Sequence, residues 1–121
     1  MIRLIHCMKR RSDVSLHDFR AFLASEAFDR LVAELALQTS AVRWSKTVTL
    51  AIAANAELMA ERGSEEPFDA VLEVWWPSSK DLEALVDSSH ARQLLAEMQS
   101  SQSPYVDFHR SVRFFTDWDE V

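Results

Sequence analysis

The sequence predicts an α+β fold of the split βαβ type, a four-stranded antiparallel sheet with two long helices packed on one face. Three observations lead there. Four short segments, near residues 2–9, 41–50, 68–76 and 106–115, alternate or are β-rich as strands are. Two longer stretches, near 15–37 and 79–99, carry apolar residues at helical spacing. The chain has 121 residues, 48% of them hydrophobic, which suits one domain, residues 1–121, with one core. The order β-α-β-(short helix)-β-α-β is the ferredoxin-like arrangement.

The first strand places Ile2, Leu4, His6 and Met8 on one face and Arg3, Ile5, Cys7 and Lys9 on the other. Arg10 to Asp13 reads as a turn. Ser15, with Asp18 three residues on, resembles a capping box. Leu16, Phe19, Phe22, Leu23, Ala27, Leu31 and Leu35 then form the apolar stripe of one long helix over 15–37, with Arg20, Glu26, Arg30 and Glu34 largely off it. The second strand, 41–50, sets Val42, Trp44, Lys46 and Val48 opposite Arg43, Ser45, Thr47 and Thr49. Residues 51–62 are alanine-rich and helix-prone, and Gly63 fits a helix stop. In the third strand, Phe68, Ala70, Leu72, Val74 and Trp76 share a side, and Pro77 ends it. Ser78 with Asp81 repeats the capping pattern before Leu82, Leu85 and Val86. The helix continues or restarts with Ala91, Leu94, Leu95 and Met98, and 106–115 is the last strand.

Composition removes several function classes. The single cysteine, Cys7, forbids an internal disulfide and every multi-cysteine metal pattern. The single glycine, Gly63, removes the Gly-rich phosphate loops. A net charge of −6 argues against nucleic acid as a partner. The most apolar window, Val48 to Ala56, is shorter than the ~20 residues of a membrane span. The first residues lack the apolar core of a secretory signal, and one free thiol suits a reducing interior, so a cytoplasmic protein is expected. With four scattered histidines, no cofactor is expected: no metal, haem or nucleotide.

The third strand presents five apolar residues to the helices, yet its other side carries Asp69, Val71, Glu73 and Trp75. With Ile5 beside them these make a face too apolar for open water and too charged for a core. A homodimer packed face to face resolves this, with charges such as Arg3 and Glu73 paired across or beside the seam.

The opening run Ile2 to Arg11, Ser15-Leu16-His17-Asp18-Phe19 at a helix start, Phe68 to Trp76 with Ser78 to Leu82 after it, and the ending Tyr105 to Val121 together resemble the EthD family over nearly the whole chain. The resemblance implies a dimeric α+β barrel of two ferredoxin-like sheets. It also implies handling of small organic molecules, of the catabolic or polyketide-type kind, with cofactor-free oxygenases and cyclases among related barrels. EthD-like proteins usually carry a His with a nearby Pro within the first helix. Here Ala24 to Arg30 has neither, so no catalytic role transfers from that position.

Cofactor-free chemistry on an apolar molecule needs a pocket, an aromatic wall and a group that moves a proton. His6 is the candidate catalytic residue, because it interrupts an otherwise apolar strand face and its ordinary pKa is near 6.5. Trp44, Trp76, Phe22 and Phe108 are the candidate ligand-binding aromatics of a cleft between helices and sheet. Each has a plainer reading as core. His109 and Cys7 are expected on the barrel side near Arg113, too few for a metal site. His17 and His90 are expected in solvent, and the 51–66 connection is a lid or a mobile loop. The competing function is a non-enzymatic accessory or sensory dimer. An apolar cleft holding His6 beside Trp44 or Trp76 favours the first function; a filled interface with His6 bonded to backbone favours the second.

Overall fold

A computed structural model describes residues 1–119; Glu120 and Val121, the end of the tail that carries part of the family resemblance, lie outside the described residues. The order is β1 (Ile2–Met8), α1 (Leu16–Leu23), α2 (Glu26–Gln38), β2 (Arg43–Val48), α3 (Ala53–Arg62), β3 (Ala70–Trp76), a 3-10 turn (Ser79–Leu82), α4 (Glu83–Asp87), α5 (Ser89–Gln102) and β4 (Val112–Asp117). The strands form one antiparallel sheet in the order β2-β3-β1-β4. The expected α+β, ferredoxin-like fold is the one observed.

The alternation of β1 and β3 decides which face takes the helices. Met8, Ala70, Leu72, Val74 and Trp76 are all buried there. Two adjoining clusters fill the layer. One gathers Met8, Leu72, Phe19, Phe28, Val32 and Met98; the other gathers Val74, Trp76 and Ala36 with Leu4 and Leu85 against them.

The predicted 15–37 helix is two helices. Ser25 separates them: its hydroxyl donates to the Phe22 carbonyl at 2.7 Å and accepts from the Phe28 N–H at 3.2 Å, so one side chain serves both ends. The break resets the phase, letting α1 bury Phe19, Phe22 and Leu23 while α2 buries Phe28, Val32 and Ala36. Ser15 caps α1 by accepting from the Asp18 N–H at 3.1 Å. The Asp81 carboxylate accepts from the Ser78 N–H at 3.1 Å. The helix after β3 restarts at Ser88, which accepts from the Ala91 N–H at 3.1 Å. Gly63 ends α3 in the left-handed conformation.

Ser40 does the same for α2 without being glycine. Its φ is 62°, and the Ala41 N–H donates to the Ala36 carbonyl at 2.8 Å, the 6→1 bond of a Schellman ending. A β-carbon in that conformation costs roughly 1–2 kcal/mol, partly offset by the greater freedom of unfolded glycine. Ser40→Gly is therefore expected to stabilise the fold by roughly 0.5–1 kcal/mol. A urea midpoint equal to or below that of the parent would contradict this.

Two expectations are corrected at the sheet. The last strand begins at Val112, not near residue 106. Val106 makes only an isolated bridge to Arg10, and a turn follows, in which the Ser111 hydroxyl donates to the Asp107 carbonyl at 2.7 Å and accepts from the Lys9 N–H at 2.9 Å. The turn sets the parity of β4, so Arg113 stands opposite His6 and Phe115 opposite Leu4, on the helix face rather than on the expected barrel side. Trp75 is the second. It is only 3% exposed, because Arg43 lies 4.5 Å over its ring and Trp118 meets it edge-on at 6.3 Å. Arg3 and Glu73 approach within one chain, at 3.8 Å. The apolar residues left on the open face are half-buried Ile5 and Val71 with exposed Val112 and Phe114.

Candidate functional site

A cavity of about 590 Å³ lies between the sheet and the helices α2, α4 and α5. Its floor is set by strand register. One row across the sheet runs Lys46–Leu72–His6–Arg113, and the next runs Trp44–Val74–Leu4–Phe115. Trp76 stands one row further on. The middle strands and β4 supply the floor, while Val32, Ala36 and Leu85 help to form the roof. On the β4 side, Phe115 is 51% and Phe108 40% exposed, so the cavity opens at that edge of the sheet.

The lining is polarised along the strands. His6 and Arg113 lie at one end, with Ser111 beyond Arg113 on the approach to β4. Gln99 and Gln102, from the last turns of α5, belong to the same end. The chain after α5 is tied to the end of β1, the Arg11 N–H donating to the Tyr105 carbonyl at 2.9 Å. Gln102 is only 3% exposed, an unusual depth for a carboxamide in a cavity wall. At the other end Trp76 is held rigidly. Its indole N–H donates to the Thr39 hydroxyl at 3.0 Å, and its ring meets Phe115 edge-on at 6.1 Å. That leaves an apolar face toward the cavity, with Leu4 and Val74 beside it.

His6 is 9% exposed. Burial, reinforced by the positive charge of Arg113, lowers its pKa from 6.5 to about 4. The imidazole is therefore neutral at pH 7. A neutral imidazole lining a largely apolar chamber can accept a proton or a hydrogen bond from a guest. The guanidinium across the β1–β4 ladder stabilises negative charge on the same guest. Proton transfer with a developing oxyanion is the chemistry this pair is suited to.

The sequence-chosen residues divide. His6, Trp76 and Phe108 line the cavity together. Trp44 does not: it sits on the helix face of the edge strand β2, opposite Val74 and 36% exposed. Phe22 does not either, being buried against Phe28 at 5.2 Å and stacked on Tyr105 at 4.3 Å. His109 is in the exposed turn before β4, and Cys7 is half-buried on the open sheet face, where burial and Glu73 raise its pKa. His17 and His90 are exposed. Among the described residues, no three His, Cys, Asp or Glu side chains converge as metal ligands do, and no helix is long and apolar enough to cross a membrane. Arg113 and Gln102 were missed as site residues. For Arg113 the signal was the parity of β4, readable only once the turn at 107–111 is placed.

No protein-family model matches the chain, and no curated protein matches it either. Solved structures do match. A hydroxynitrile lyase from Passiflora edulis superposes with a TM-score of 0.62 at 16% identity, over 99% of this chain and 94% of that one. A dimeric protein of unknown function and ferredoxin-like fold from Bacteroides fragilis gives 0.61 at 9% identity, over 97% and 95%. A dimeric ferredoxin-like protein of unknown function from Thermobifida fusca gives 0.58 at 16% identity, over 97% and 90%. At such identities the likeness concerns the fold alone.

Proposed function

We propose that this chain is an EthD-like protein that binds, and transforms by proton transfer, a small hydrophobic organic molecule held between helices and sheet. A cofactor-free oxygenase or cyclase acting on a catabolic or polyketide-type compound is the reaction class in view. The observation that carries the reading is His6 itself, neutral and facing a largely apolar cavity of about 590 Å³ beside Trp76. That volume is within the range of small-molecule sites. The non-enzymatic accessory or sensory reading calls instead for a filled interface with His6 bonded to backbone.

The direct test is a calorimetric screen of aromatic ketones, phenols and acids against the parent and Leu95→Trp. Leu95 is a half-buried lining residue, so a larger ring there occupies the cavity without invading the core. One compound bound per chain by the parent and lost in the variant is expected. Identical binding by both proteins would place the ligand elsewhere and defeat the reading.

The reading includes a homodimer assembled through the open sheet face. Val112 and Phe114, 47% and 46% exposed, adjoin Ile5 and Val71 there, and two structural neighbours of this fold are described as dimeric. Sedimentation at micromolar concentration is expected to report a dimer. A clean monomer would remove the barrel from the proposal.

A further inference from the structure

We infer that the cavity selects amphipathic acids, molecules whose single anionic oxygen pairs with Arg113 beside His6 while a flat apolar body extends toward Trp76. The inference rests on the cavity reading above and names the class of molecule that fits it.

Three features of the structure point this way. The first is that Arg113 keeps its charge for a guest. The ion pairs among the described residues are Arg3–Glu73, Lys9–Glu66, Arg11–Asp13 and Lys46–Asp29, and Arg113 is in none of them. A guanidinium on an apolar wall with no carboxylate partner among the described residues offers a planar pair of donors to a carboxylate, enolate or phenolate.

Arrangement is the second feature. The hydrogen-bonding side chains of the lining gather around the Arg113 row: His6 opposite it, Ser111 two residues before it on the same chain, and Gln99 and Gln102 from the helix above. Leu4, Val74, Phe115 and Trp76 occupy the following rows. From the His6 row to the Trp76 row is four residues along a strand, roughly 13 Å at about 3.3 Å per residue. A two- or three-ring aromatic body has that reach. Such a polarity gradient orients a guest head first and leaves its least polar end against Trp76.

The third feature is scale. The protein as a whole carries −6, which repels anions at a distance. Screening confines that field to about 8 Å at physiological ionic strength, so a contact pair with Arg113 outweighs it locally. A preference for anions in an acidic protein therefore has to come from this side chain. The anion also alters His6, since negative charge beside it offsets the influence of Arg113 and makes the imidazole a better proton acceptor once the substrate is bound.

The test uses two probes of one shape, naphthoate and naphthamide, titrated calorimetrically into the parent protein, Arg113→Gln, Arg113→Lys and Leu95→Trp. The parent is expected to bind naphthoate about 5-fold more tightly than naphthamide, as a charged hydrogen bond at the open β4 side of the cavity would give. Arg113→Gln is expected to abolish that preference while leaving naphthamide within about 2-fold, and Arg113→Lys to keep part of it. Arg113 is exposed on an edge strand, so these variants are expected to fold, with thermal melts as the check. Equal affinities in the parent, or a preference that survives Arg113→Gln, would overturn the anion assignment and leave the cavity reading standing. Failure of both probes to bind, or undiminished binding by Leu95→Trp, would overturn the cavity reading and this inference with it.

Discussion

His6→Phe is expected to lower turnover of the substrate by a factor of about 10² to 10⁴, the usual contribution of a positioned proton-transfer group. The fold should survive the change. His6 is only 9% exposed, but its ring lies against a cavity of about 590 Å³, so a slightly larger phenyl meets open space rather than packed side chains. The parent's pH profile gives a second readout. A base must be neutral to act, and the free protein holds His6 at about 4, so kcat/KM is expected to stay flat as pH falls through 6.5 and to decline only near 4. Turnover within a few-fold of the parent, together with a lowered melting temperature, would assign His6 a structural role.

Acid sensitivity is the second large effect. The folded state holds the His6 pKa at about 4, whereas the unfolded chain returns it to about 6.5. Between those values the unfolded chain binds a proton that the folded protein does not, so stability falls as pH falls. The stabilisation is complete above pH 6.5, is lost through the window down to about 4, and amounts to about 3 kcal/mol. Urea unfolding of the parent at several pH values between 7 and 4 should show that slope. In His6→Phe the same window should be flatter by about this amount, leaving what the carboxylates contribute at its lower end. Parallel curves for the two proteins would show that His6 is not buried in its neutral form. An anionic guest paired with Arg113 should narrow the window by raising the folded-state pKa, which links the stability experiment to the binding one.

Much of the fold was legible because period-two and helical spacing report directly on which face is buried. Ala70, Leu72, Val74 and Trp76 on one side of the third strand identified the helix face, and Gly63 and the serine caps marked where helices start and stop. The break at Ser25 was not legible. The apolar stripe runs through it, and only the packing of α1 and α2 on different parts of the sheet decides that the serine caps rather than continues. The site divides in the same way. His6 stood out as a polar residue on an apolar face, and Trp76 was on the same face by parity. Trp44 shares that parity and still misses the cavity, because parity says which face a residue is on and not whether its strand lies at the centre or the edge.

The sequence by itself determined the element order, the buried face of each inner strand and the presence of one titratable group among core residues, all of them consequences of local spacing. The tertiary structure alone decided that Arg113 meets His6. That encounter needs β4 to pair with β1 in a register set by the turn at 107–111, and pairing between residues more than one hundred positions apart leaves no trace in local periodicity. It also decided that Trp75 is covered by Arg43 and Trp118 and that the chamber opens along β4, since both depend on which side chains from distant segments arrive at one place.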